Sequence, residues 1–140
     1  MLPAKLEQIA TIFRSSPKDF RVQALLDFSR RVPPLPDRLA GSDLEQVHEC
    51  QSPFFLAVEV DDDDTVHMFF DAPPEAPTVR GFAGILLEGL DGEKAEIILS
   101  VPDDFFYGMG LEEVVTPLRI RGMGAILGRL KRQIRTHLAA

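Results

Sequence analysis

At 140 residues, with 45% hydrophobic and 26% charged side chains, the chain is sized and composed for one folded domain with its own core, not for a disordered or fibrous protein. A formal net charge of -7 disfavours a broad phosphate-binding surface, so nucleic acid is not an expected partner. One cysteine leaves no internal disulfide to form, no run of about 18 apolar residues offers a membrane span, and Lys5, Glu7 and Gln8 break the stretch from Met1 to Phe13 where a signal peptide would be continuous. The expectation is therefore a cytoplasmic protein without a membrane partner.

Between Pro3 and Arg14, Leu6, Ile9, Ala10 and Phe13 fall at helical spacing and predict a first amphipathic helix. Ser16 reads as the N-cap and Pro17 as the first position of a second helix, with Asp19 in its first turn and Phe20, Ala24, Leu25 and Phe28 on its stripe. That helix is predicted to end near Arg31, because the prolines within Val32 to Pro36 stop it and send the chain extended toward Gly41. Strict alternation predicts strands from Phe54 to Val60 and from Val66 to Phe70, with Asp61 to Asp64 as the hairpin loop and Leu44 to His48 as a short preceding strand.

After the prolines at Pro73 to Pro77 the period changes, and Val79, Phe82, Ala83, Leu86, Leu87 and Leu90 mark a long helix. Glu93 to Leu99 reads as a short helix, and Asp103 as the cap of a turn through Phe105 and Phe106. Thr116 caps a last helix begun by Pro117, whose apolar face holds Met123, Ile126, Leu127, Leu130, Ile134 and Leu138. Helices flanking a block of strands predict an α+β fold, a small antiparallel three-stranded sheet packed against helices, in a single domain over residues 1–140.

Cys50 lies in the polar segment Val47 to Ser52, which enters a strand. Its neighbours leave two readings open, a reactive thiol or an incidental one. His48 and Gln51 would support a thiolate, and Glu49 would oppose it. No resident metal is expected, since one cysteine and the scattered His48, His67 and His137 lack the spacing of a site with about four ligands. A cysteine hydrolase would need an oriented histidine base, and His67 reads more simply as a hairpin-surface residue. Chemistry that needs only one sulfur nucleophile remains, namely accepting a sulfur atom, holding it as a persulfide and yielding it to another thiol. Asp61 to Asp64 lacks the glycine and terminal glutamate of a calcium loop and reads as a solvated turn. Arg129, Lys131, Arg132 and Arg135 form a basic cluster, read as the solvated side of the last helix or else as a docking face.

The segment Val47 to Phe55 resembles the sulfur-acceptor motif of the SufE family, V-x-G-C-Q-S-x-V-W, with Cys50, Gln51 and Ser52 in place. Val79-Arg80-Gly81-Phe82 is similar to the family's I-V-[KR]-G-L helix start, and Thr116 to Met123 resembles T-P-S-R-x-x-G-[LM]. The resemblance runs from about Leu6 through the last helix and includes the proline run at Arg31 to Pro36. It implies the fold shared by SufE and IscU proteins. It also implies an accessory, sulfurtransferase-type role in iron-sulfur cluster assembly: Cys50 takes persulfide sulfur from a SufS-like cysteine desulfurase and relays it to a SufBCD-like scaffold. Pyridoxal phosphate then belongs to the partner desulfurase, and the chain itself carries no cofactor. His48, Gln51, Ser52 and Arg119 are the residues expected to support the thiolate or meet the partner. Where the family has glycine before the cysteine this chain has Glu49, and Pro53 is inserted before Phe54-Phe55. The other reading is a SufE-fold interaction module that regulates partners without sulfur transfer.

Overall fold

The computed structural model describes residues 2–39 and 44–139. In chain order the elements are α1 (Ala4–Ser15), α2 (Lys18–Ser29), β1 (Glu45–Gln46), β2 (Phe55–Val60), β3 (Val66–Asp71), α3 (Pro77–Leu90), α4 (Ala95–Leu99), two short 3-10 turns (Phe105–Met109 and Leu111–Glu113), and α5 (Pro117–Ala139). The sheet is antiparallel in the order β1-β2-β3, so the predicted α+β architecture is the one observed. The end of the predicted extended run, residues 40–43 with Gly41, lies outside the described residues.

β2 and β3 pair from Phe55↔Asp71 to Val60↔Val66, a register that sets Leu56 and Val58 beside Phe70 and Met68 on one buried face. The Asp61–Asp64 loop closes the hairpin through Asp61 N–H to the Thr65 carbonyl at 2.8 Å, with Asp64 in the left-handed region at φ 66°. A short aspartate tolerates that conformation better than most side chains do. β1 is shorter than predicted and pairs only Glu45↔Leu56 and Gln46↔Phe55. Beyond it the edge of β2 is completed by a side chain: Val58 N–H donates to Gln133 Oε1 of α5 at 3.0 Å. The outer edge of β3 is finished in the same way, Met68 N–H donating to Asp91 Oδ1 at 2.7 Å. Both devices satisfy backbone groups that a sheet edge would otherwise leave open.

One hydrophobic core draws on all five helices and on β2 and β3, with Phe13, Phe54, Phe82 and Leu86 fully buried within it. α3 packs against α1 and α2, while α5 lies along β2. The approach of α2 to α3 is so close that a Cβ at Gly81 would sit 2.4 Å from the Leu25 carbonyl oxygen. Arg80, beside it, ties off the end of α2 by donating to the carbonyls of Ser29, Val32 and Ala72.

Several local expectations are corrected. Ser16 does not cap α2: its hydroxyl donates back to the Ile12 carbonyl at 2.6 Å, and Pro17 occupies the cap position. Asp103 does not cap the turn at Phe105. Its carboxylate accepts from Lys131 at 2.5 Å, and Lys131 is buried on α5, not solvated. Leu138 is 43% exposed, because α5 outruns the body that buries the rest of its predicted apolar face, Met123 to Ile134. Among the described residues, no helix is long and apolar enough to cross a membrane.

Candidate functional site

Cys50 sits in the connection from β1 to β2, as the alternation on either side predicts. The loop is pinched at its base by Val47 N–H donating to the Phe54 carbonyl at 2.8 Å, and turned at its tip by Cys50 N–H donating to the Val47 carbonyl at 3.2 Å. His48, Glu49 and Gln51 are exposed, whereas Cys50 and Ser52 are half-buried. The thiol leans on the N-terminal part of α5, where a Cβ placed at Gly122 would lie 3.1 Å from Cys50 Sγ. The glycine of the Thr116 to Met123 motif is thus the surface against which the cysteine of the Val47 to Phe55 motif rests. Thr116 positions that end of the helix by capping it, its Oγ1 accepting from Arg119 N–H at 3.4 Å.

The environment keeps the thiol protonated. Burial first, and then the negative charge of Glu49, push Cys50 up to about 11, against a smaller opposing pull from Arg129. At pH 7 only about one thiol in ten thousand is then ionised. Glu49 is itself held below the ordinary carboxylate range, chiefly by the hydrogen bond that Arg129 Nη2 donates to its Oε1 at 2.7 Å. Glu45 is penalised by burial, but hydrogen bonds from Gln133, Arg129 and Arg132 outweigh this and leave its carboxyl depressed. The same two glutamates, Glu49 first, raise Arg129. Glu49 stands where the resembling motif has glycine, yet it needs no left-handed backbone: Asp64 is the one non-glycine at positive φ among the described residues.

The structure gathers His48, Gln51 and Ser52 on the loop that carries Cys50. Arg119 lies half-buried in the first turn of α5, and its guanidinium makes no hydrogen bond or ion pair among the described residues. Among the described residues, the cation whose charge acts on the thiol is Arg129. Arg129 was visible in the sequence only as one member of a basic run. The signal that could have drawn attention to it was the acid at position 49, beside the thiol, for which a cation of the last helix is a natural partner. Of the other cations in that run, Arg132 also pairs with Glu45, and Lys131 is consumed by Asp103 and the Val101 carbonyl. His67 pairs with Asp61 across the hairpin at 2.9 Å, away from the thiol. Among the described residues, no three His, Cys, Asp or Glu side chains are grouped to hold a metal ion.

Fold and site together define a small α+β protein that carries its one thiol on a strand-connecting loop against the start of a long helix. The chain belongs to the SufE family: the family profile, described as Fe-S metabolism associated domain, matches residues 7–134. It is 47% identical over 134 residues to an uncharacterised SufE-like protein of Mycobacterium tuberculosis, covering 96% of this chain and 94% of that one. It is 27% identical to the cysteine desulfuration protein SufE of Plasmodium vivax, covering 93% of this chain and 52% of the relative. The solution structure of a hypothetical protein from Thermus thermophilus superposes with a TM-score of 0.89 at 48% identity, over 100% of both chains. Membership assigns the chain to iron-sulfur metabolism.

Proposed function

We propose that Cys50 accepts a persulfide sulfur from a cysteine desulfurase and relays it to an iron-sulfur assembly scaffold of the SufBCD kind. The observation that carries the reading is the placement of the chain's sole thiol: half-sheltered at the tip of a strand connection, in the acceptor position of a SufE-family motif. In the transfer, the Cys50 sulfur attacks the outer sulfur of the desulfurase persulfide. The sulfur–sulfur bond of the donor breaks as a new one forms on Cys50, and the proton of the incoming thiol leaves with the donor's released thiolate. No net oxidation or reduction occurs. The pyridoxal phosphate that frees sulfur from cysteine belongs to the desulfurase.

A thiol near pKa 11 is a poor nucleophile alone, so the reading requires docking to complete the site. The loop leaves Gly122, Sγ enters the partner's pocket, and burial against this chain's own core is relieved. His48, Gln51 and Ser52 travel with the thiol and meet the partner first. Arg119, whose guanidinium is unengaged among the described residues, serves to pair with an acid on the desulfurase. Retreat of the loaded loop against α5 protects the persulfide from reduction and oxidation.

The test is to incubate the protein with a SufS-like desulfurase and cysteine, then weigh it intact. A gain of one sulfur atom, lost on reduction and absent in Cys50→Ser, is expected. Stable binding to the desulfurase without any mass gain would instead identify an interaction module that regulates its partner.

A further inference from the structure

We propose that Arg129 is the positioning residue of the Cys50 loop: by gripping Glu49 it holds the thiol closed on α5, and sulfur acceptance requires that grip to break. The inference rests on the reading of Cys50 as sulfur acceptor for its purpose, but not for its geometry. Arg129 Nη2 donates to Glu49 Oε1 at 2.7 Å, and Nη1 donates to Glu45 Oε2, also at 2.7 Å. One guanidinium thus ties β1 and the residue before the cysteine to the same helix.

Gly122 and Arg129 are seven residues apart, about two helical turns, and so share a face of α5. Along that face the loop is attached twice, sterically where Sγ meets Gly122 and ionically where Glu49 meets Arg129. The loop has few other restraints: between Val47 and Phe54 the backbone bonds among the described residues are the pinch at its base and the turn at Cys50. Arg129 is committed to this role, since both terminal nitrogens are spent on the two acids while its Nε is buried with no partner among the described residues. A lysine would offer both acids a single ammonium in place of two separate terminal nitrogens, and so hold each of them less well. Glu45 keeps Arg132 and Gln133 when Arg129 is removed, so β1 stays anchored and only Glu49 comes free.

The experiment is alkylation of Cys50 by iodoacetamide in the isolated full chain, followed by intact mass from neutral to alkaline pH at low and high sodium chloride. The high-pH plateau reports access to the thiolate, and the midpoint reports its ionisation. Arg129→Gln and Glu49→Gln should each raise the plateau about fivefold, the factor commanded by a partly sheltered ion pair of about 1 kcal/mol. The double variant should do no more than either single one, because both remove one interaction. Salt should speed the wild type and leave Glu49→Gln unchanged, while Arg129→Lys should fall between wild type and Arg129→Gln.

Plateaus within about twofold of wild type in both single variants would overturn the proposal. Should Arg129→Gln not fold, Glu49→Gln, which alters only an exposed loop residue, decides the matter alone. The sulfur-gain assay separates the two readings. If wild type never gains sulfur yet the alkylation pattern appears, the acceptor reading falls and the positioning role stands. If wild type gains sulfur while the variants alkylate at its rate, the positioning role falls and the acceptor reading stands.

Discussion

Gly81 and Gly122 are both glycines of helix-borne motifs, and the space around them makes opposite demands. At Gly81 the obstacle to a side chain is the Leu25 carbonyl oxygen, 2.4 Å from where a Cβ would stand, and two packed helices cannot part cheaply. Gly81→Ala should destabilise the fold by about 2 kcal/mol or more, read from the urea midpoint. At Gly122 the obstacle is Cys50 Sγ at 3.1 Å, the tip of a side chain on a loop that can give way by a few tenths of an ångström. Alanine there gains up to about 1 kcal/mol of helix propensity, which offsets the crowding. Gly122→Ala should therefore leave the urea midpoint near that of wild type while pushing the thiol outward and speeding its alkylation. The sequence marks both glycines as motif members and says nothing of this difference, because close approach is a property of pairs that only the fold brings together. The same holds for Arg80, two of whose three carbonyl partners, Ser29 and Val32, lie far from it along the chain.

Among the elements, those with a strong internal period were legible. β3 follows its alternation, β2 forms where its alternation predicts although Ala57 is buried as well as Leu56 and Val58, and α3 and α5 follow their apolar stripes, with Thr116 and Pro117 starting α5 as read. Elements set by side-chain competition were not. β1 is two residues long, and beyond it a side chain of α5 supplies the hydrogen bond to Val58 N–H. Ser16 was free to satisfy the end of α1 instead of the start of α2, and sequence position cannot rank the two. Gln133 is the hinge of the first case, accepting from Val58 N–H and donating from Nε2 to Glu45 Oε1 at 2.8 Å. Gln133→Leu fills similar space but orphans a partly buried amide and removes one of the donors to Glu45. A loss of about 1–3 kcal/mol is expected in urea unfolding, with faster amide exchange at Val58.

For the molecule as a whole, the order of helices and strands was enough to read the α+β class, since alternation and helical period rarely imitate each other over such lengths. The distribution of its charge was not legible, and that distribution governs how stability varies with pH. Glu45, Glu49, Glu59 and Asp63 are all depressed in the fold: Glu49, Glu59 and Asp63 chiefly by hydrogen bonds from Arg129, Arg38 and Lys94, and Glu45 by donors that overcome its burial. Each favours folding above its unfolded value and loses that contribution as pH falls through the lower folded value. His67 runs the other way. Its hydrogen bond to Asp61 raises it above the ordinary 6.5, so its contribution is complete below that value and fades as pH rises through the higher folded one. The two sets bracket a maximum of stability between the ordinary carboxylate value of 4.5 and the ordinary histidine value of 6.5. Thermal unfolding followed by circular dichroism should show the melting temperature highest in that interval, falling on the acid side and, more gently, on the alkaline side. Asp61→Asn should flatten the slope just above neutrality and leave both the acid slope and the fall above pH 9 that the raised Cys50 thiol contributes. Arg129→Gln should make the acid slope shallower, because Glu45 and Glu49 would then protonate closer to their unfolded values. An acid slope unchanged in Arg129→Gln would mean that its two carboxylates contribute nothing to the fold's pH dependence, whatever Arg129 does for the loop.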